Sequence, residues 1–208
     1  FCFQPSQHHG FIGATPERLM KMDGARLQTE ALAGTMPCGD DEALRDVNRE
    51  RLIDSEKCRR EHDFVVEFLR HHLTRLCKSF ESGTQPEVLQ LKSVQHLRTS
   101  MHGELRAGYT RADVLAALHP TPAVCGYPVE ETMGELSRLE TFPRGWYAGP
   151  VGFVSHDSCE FAVAIRSGLV KDHLLSLYAG AGIVEGSTAL EEWQEVENKI
   201  SRFMKVFQ

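Results

Sequence analysis

Three apolar runs, at residues 150–155, 160–169 and 173–184, follow one another with only short breaks. Val-Ala-Ile in the second and Leu-Leu-Ser-Leu-Tyr in the third are apolar enough for strands in a sheet core. Residues 10–13, 25–33 and 87–98 read as further strands, and Phe1-Cys2-Phe3-Gln4 reads as the middle of another. Thr15-Pro16-Glu17-Arg18 reads as a turn or a first helical turn, with Thr15 as N-cap and Pro16 at the first helical position. Residues 34–39 and 82–86 are loops, the latter too short to divide domains. Residues 40–80 read as one short and one long helix; in the second, Val65, Phe68, Leu69, Leu73 and Leu76 recur at helical spacing. Further helices are expected at 112–118, where His119-Pro120 ends the run, at 129–139 and at 190–206. Such alternation predicts one α/β or α+β domain over 1–208 with at least one large sheet.

Composition narrows the function. The 208 residues carry 23 Lys+Arg against 29 Asp+Glu, a net charge of −6. That balance, without a basic run, argues against nucleic acid as a partner. No stretch approaches the roughly 18 uncharged apolar residues that a membrane span requires. The six Cys are scattered without a C-x-x-C pair, which suits free thiols in a reducing compartment such as the cytoplasm.

Several residues are able to carry chemistry, each beside a plainer reading. Glu192 and Glu195 are one helical turn apart and share a face. With Glu61 from the long helix they would suit a hard cation such as Mg²⁺; a solvated face is the alternative. Gly180 and Gly182, in Tyr178-Ala-Gly-Ala-Gly-Ile-Val184, would let backbone N–H groups approach an anion, or simply end a strand. Arg166 closes an apolar run and needs an anionic partner, either a structural carboxylate or a substrate. His96 and His119 border apolar runs, as core histidines or as catalysts. Glu17 reads either as a partly buried acid of raised pKa or as a helix N-terminal Glu. The positive cluster Arg51, Lys57, Arg59, Arg60 and Arg70 alternates with acids and reads as a solvated helix face.

An ordered set of motifs resembles the chorismate-binding enzyme family. It comprises Phe11-Ile-Gly-Ala-Thr-Pro-Glu-Arg-Leu19, Thr29-Glu-Ala-Leu-Ala-Gly-Thr35, Ser55-Glu-Lys-Cys-Arg-Arg-Glu-His62, His119-Pro-Thr-Pro-Ala123, Arg144-Gly-Trp-Tyr-Ala-Gly-Pro-Val-Gly152, Phe161-Ala-Val-Ala-Ile-Arg166, Tyr178-Ala-Gly-Ala-Gly-Ile-Val184 and Glu192-Trp-Gln-Glu195 with Lys199. One such match would say little; the whole set in order is specific. Thr-Glu-Ala-Leu-Ala-Gly-Thr is most similar to the isochorismate synthase branch, whereas aminating branches carry a Pro-Ile-Ala-Gly-Thr-Arg version.

The resemblance implies a fold of two stacked antiparallel sheets flanked by helices. It implies that water adds at C2 of chorismate while the C4 hydroxyl leaves, with Glu17 as the general acid and His96 beside the ring among the catalytic residues. It implies that Glu61 and Glu192 hold Mg²⁺, with Glu195 bound directly or through water, and that the metal binds the ring carboxylate. Tyr147, Arg166, the backbone around Gly180 and Gly182, and Lys199 would hold the substrate carboxylates, with Gly34 and Thr35 lining the site.

Two departures stand out. Cys58 occupies a position where the family has a second acid, and a thiol is a poor Mg²⁺ ligand. The family's lysine base would precede Phe1, and none of Lys21, Lys57 or Lys78 sits in a context to replace it. The chain is therefore expected to be the C-terminal portion of a longer enzyme. Alone it would hold the acid, metal site and carboxylate clamp but lack the base, and its open sheet edge would make it poorly soluble. Other branches would make salicylate, or an aminated product with ammonia from a glutaminase subunit; a non-catalytic chorismate-binding remnant is the reading from another class. The compartment would be the cytoplasm, or the plastid stroma in a photosynthetic eukaryote.

Overall fold

The computed structural model describes residues 1–204, apart from the side chain of Arg202. Two antiparallel sheets carry the fold. The larger contains β3 (Arg18–Asp23), β4 (Arg26–Pro37), β5 (Cys77–Ser82), β6 (Glu87–Gln90), β7 (Val94–Leu105), β8 (Pro150–Val154) and β9 (Ser158–Val163). Its order is β5-β7-β4-β3-β9-β8, and β6 also pairs with β7. The smaller sheet, of order β1-β2-β10-β11, contains β1 (Cys2–Ser6), β2 (His9–Gly13), β10 (Ser167–Lys171) and β11 (Leu174–Tyr178). The helices are α1 (Glu42–Asp54), α2 (Glu56–Leu76), α3 (Arg111–Leu118), α4 (Pro122–Cys125), α5 (Val129–Leu139) and α6 (Ala189–Met204).

The core lies between α2 and the larger sheet. Successive strand side chains face opposite ways, so Leu27, Thr29, Ala31 and Ala33 of β4 are buried while Gln28 and Glu30 between them are only partly covered. On α2, Val65, Phe68, Leu69, Leu73 and Leu76 form one apolar stripe and meet Met20, Met22, Leu27, Ala31 and Met101 of the sheet. Ser55 starts α2 as its N-cap, its side chain accepting a hydrogen bond from Cys58 N.

The elements depart from the sequence reading in informative places. Residues 87–98 are not one strand: Leu91 N donates to Val94 O in a turn between β6 and β7. Residues 34–39 are not all loop, because β4 continues to Pro37 past a bulge at Gly34. The helical stretch 40–80 ends at Leu76, and Cys77 enters β5. Residues 15–18 form no helical turn. Glu17 N donates to Thr15 Oγ1 at 3.2 Å, and Arg18 must already be extended to pair with Ala162. The run 173–184 stays a strand only to Tyr178. The closing helix begins at Ala189; residues 205 and 206 of its expected span lie outside the described residues.

The most consequential departure is the run 160–169. It forms two strands of different sheets, β9 and β10, and the chain changes sheet at residues 164–166, where Arg166 takes a positive φ of 50°. Residues 14–17 make the same change between β2 and β3. The two crossings lie side by side: Ala14 N donates to Arg166 O at 3.0 Å, and Val163 N donates to Glu17 O at 3.0 Å. The seam between the sheets therefore carries Glu17 and Arg166 together.

Candidate active site

Glu17 is buried, with 7 % of its surface exposed. Burial, reinforced by the charges of Glu30 and Glu61 and opposed by Lys199 and Arg166, pushes its pKa from the ordinary 4.5 up to about 8. The carboxyl is thus protonated at neutral pH and able to donate a proton. Arg166 feels the same neighbourhood, since its charge acts on Glu17, His96 and Tyr147.

The bulge in β4 sets the next wall. Gly34 adopts φ 74°, and a Cβ there would lie 2.9 Å from the carbonyl oxygen of Cys58. Only glycine permits both the left-handed backbone and the close approach of the α2 N-terminus. Past the bulge the register shifts, so Thr35 pairs with His96 of β7, and Thr35 Oγ1 lies 3.1 Å from His96 Nδ1. His96 is 6 % exposed, and its Nε2 is buried without a hydrogen-bond partner in the protein. Burial, with Arg166 and Lys199 adding to it, lowers its pKa to about 3. The ring is neutral at pH 7, so it offers a hydrogen bond rather than a charge.

Two helices bring three carboxylates within range of one another's charge. Glu61 comes from α2, Glu192 and Glu195 from α6. Burial first, then the charges of Glu195 and Glu192, raises the pKa of Glu61 to about 7 against the pull of Lys199 and Lys57. Glu192 is 5 % exposed, and apart from the Lys57 ammonium at Oε1 its carboxylate oxygens have no partner. Lys57 forms an ion pair with it. Lys199 Nζ contacts Glu195 Oε1 at 2.5 Å and donates to Gly180 O at 2.8 Å.

The glycines of the 179–188 loop earn their places through contact. A Cβ on Gly182 would sit 2.5 Å from Glu61 Oε1, and one on Gly180 would sit 3.0 Å from the Tyr147 hydroxyl. Tyr147 stacks on Tyr178 with centroids 5.4 Å apart, and the Arg144 guanidinium lies 5.9 Å from its ring centroid. Arg144 is itself fixed by Glu140 and by Val124 O at 2.6 Å.

The family described as chorismate binding enzyme matches over residues 1–208. The chain belongs to that family. As a chorismate-binding enzyme it is 42 % identical over 207 residues to the chloroplastic isochorismate synthase of Catharanthus roseus, covering 99 % of this chain and 36 % of that protein. It is 40 % identical to the isochorismate synthase MenF of Haemophilus influenzae, covering all of this chain and 48 % of that one. The solved menaquinone-specific isochorismate synthase of Escherichia coli superposes with a TM-score of 0.90 at 36 % identity, over 98 % of this chain and 47 % of that one. The chain thus spans between about a third and a half of the length of the curated relatives it matches.

Of the expected site residues in this chorismate-binding enzyme, Lys199 acts on Glu17, Glu61 and His96, Arg166 acts on Glu17 and His96, and Glu61 acts on Glu17, while Gly34, Thr35, Tyr147, Gly180 and Gly182 adjoin them. The carboxylates fit a divalent cation in chemistry: Glu192 is buried with no partner at Oε2 and only the Lys57 ammonium at Oε1, and burial, then like charge, disfavours the ionised form of Glu61. They are not a ready-made cage, since among the described residues no three acids, His or Cys stand together as metal ligands. Burial, foremost, raises the pKa of the Cys58 thiol, and its backbone N–H donates to Ser55 Oγ. His119 is the C-cap of α3.

Lys57 is the residue that sequence reasoning missed. Its ammonium pairs with the buried Glu192 of α6 instead of standing on a solvated face. Its spacing of four from Glu61 was the available signal, because it puts both side chains on one helix face. All six cysteines are free thiols, and no helix among the described residues is long and apolar enough to cross a membrane.

Proposed function

We propose that the full-length protein is an Mg²⁺-dependent isochorismate synthase that converts chorismate to isochorismate. The observation that carries this reading is Glu17: a buried carboxylic acid kept protonated near pH 7, beside cations able to hold a dianion. Relatives named isochorismate synthase, at about 40 % identity over the whole chain, support the branch.

In this reading Arg166 and Lys199 receive the substrate carboxylates. Tyr147 adds its hydroxyl beside Gly180, and the neutral His96 presents its unpaired Nε2 to the ring. Glu17 gives its proton to the departing C4 hydroxyl as water adds at C2 and the double bonds shift. Glu61 and Glu192, with Glu195, hold Mg²⁺, which when bound supplies positive charge to the ring carboxylate. The family resemblance implies that the lysine which activates water comes from outside these 208 residues; within them Lys21, Lys57 and Lys78 pair with Glu160, Glu192 and Glu104. The same missing part would cover β1, whose residues are all exposed, and the exposed Phe3, Phe153, Val154 and Leu174. Free thiols suit a reducing compartment, cytoplasm or plastid stroma.

The test is product analysis. The full-length protein is incubated with chorismate and Mg²⁺, with and without ammonium, and the products are separated by liquid chromatography. Isochorismate that disappears with EDTA and in Glu192→Gln is the expected result. Salicylate or an aminated product would move the protein to another branch. Chorismate bound without turnover would make it a binding remnant.

A further inference from the structure

The ion pair between Lys57 and Glu192 links α2 and α6 near Glu61, on which the charges of Glu192 and Glu195 act. Glu192 is buried, and its carboxylate meets no partner but the Lys57 ammonium at Oε1. A carboxylate in that setting is costly unless a cation accompanies it. Lys57 comes from the same face of α2 as Glu61, one turn earlier. Its side chain is about a quarter exposed, 28 % by surface, so it has an open route away from Glu192. A lysine is a point charge on a flexible four-carbon stem, able to leave without disturbing the helix. Lys199 plays the parallel part at Glu195, but it is also tied to Gly180 O. Lys57 has no such second tie among its described contacts.

We propose that Lys57 is a built-in counter-ion that occupies Glu192 while the divalent cation is absent and yields that carboxylate when the cation binds. The proposal rests on the reading that Glu61, Glu192 and Glu195 take Mg²⁺. Cation binding is then an exchange, in which a tethered single charge leaves as a double charge arrives. The exchange keeps α6 docked on α2 in the metal-free protein and lowers the affinity for Mg²⁺, because the incoming ion must displace a partner already in place.

The experiment is calorimetric titration of the metal-free, full-length protein with MgCl₂, alongside thermal unfolding with and without Mg²⁺. Lys57→Gln removes the competitor and leaves Glu192 unpaired. Its dissociation constant for Mg²⁺ is expected to fall about three- to tenfold below that of the unaltered protein, the size of a partly exposed ion pair. Its unfolding temperature should be lower without Mg²⁺ and rise further on adding Mg²⁺ than that of the parent. Lys57→Arg keeps the charge and offers Glu192 a firmer, forked partner, so it should bind Mg²⁺ more weakly than the parent; this variant decides the matter if Lys57→Gln does not fold. Equal or weaker binding in Lys57→Gln, or equal or tighter binding in Lys57→Arg, would overturn the proposal and leave Lys57 a structural tie. Failure of the unaltered protein to bind Mg²⁺ would sink the metal reading itself and this proposal with it, and that failure is visible before any variant is made.

Discussion

Replacing Glu17 by Gln should make the protein more stable and nearly inactive. The native carboxyl holds its proton up to about pH 8, whereas an unfolded glutamate loses it near 4.5. Between those values the folded state binds the extra proton, so stability falls as pH rises. The cost is absent below about pH 4, reaches about 3 kcal/mol at pH 7 and levels off near 5 kcal/mol above pH 8, at about 1.4 kcal/mol per unit. Glutamine has the same shape, no charge and no proton to lose. The stability of Glu17→Gln relative to the parent should therefore grow by those amounts across the same window. Urea unfolding at pH 5, 6, 7 and 8, without substrate or metal, measures the growth directly. Turnover of chorismate by the full-length variant should fall by about two to four orders of magnitude, the usual worth of a positioned acid. Parallel stability–pH curves for the two proteins would refute the buried, protonated state. Undiminished turnover would refute the role.

Three further substitutions probe the walls of the site. Gly182→Ala places a methyl 2.5 Å from Glu61 Oε1, so the carboxylate must shift; Mg²⁺ affinity by calorimetry should weaken about tenfold with little change in unfolding temperature, and unchanged affinity would remove Glu61 from the metal set. Gly34→Ala forces a side chain into a backbone of φ 74° and against the Cys58 carbonyl at 2.9 Å; it should cost about 2–4 kcal/mol in urea unfolding, and a loss below about 1 kcal/mol would mean that the bulge relaxes freely. Arg166→Lys keeps the charge but loses the planar fork; KM for chorismate should rise about tenfold at near-constant stability, whereas a fall in stability with KM unchanged would make Arg166 a structural residue.

What could be read in advance divides by range along the chain. Helix α2 was legible because its buried residues repeat at a local period that a single helix dictates. The run 160–169 was misread because an apolar run looks the same whether it stays in one sheet or passes between two. The switch lies in one backbone angle at Arg166, and the neighbouring crossing at 14–17 that accompanies it is distant in sequence. Glu17 was legible as a candidate acid, and its proton affinity follows from burial and from Glu30 and Glu61, which come from other elements. Lys57 was legible only as far as its face, which it shares with Glu61; its partner Glu192 comes from α6 near the far end of the chain, and alternation with acids along a helix does not reveal it. Local pattern thus identified the elements, and the ordered motifs identified the family. The charge balance of the site arose only where the two sheets exchange strands and where α6 returns to α2. The proton of Glu17 and the pairing of Lys57 with Glu192 depend on residues that no single segment of the chain supplies, and so the variants that test the site read proton and cation affinity alongside activity.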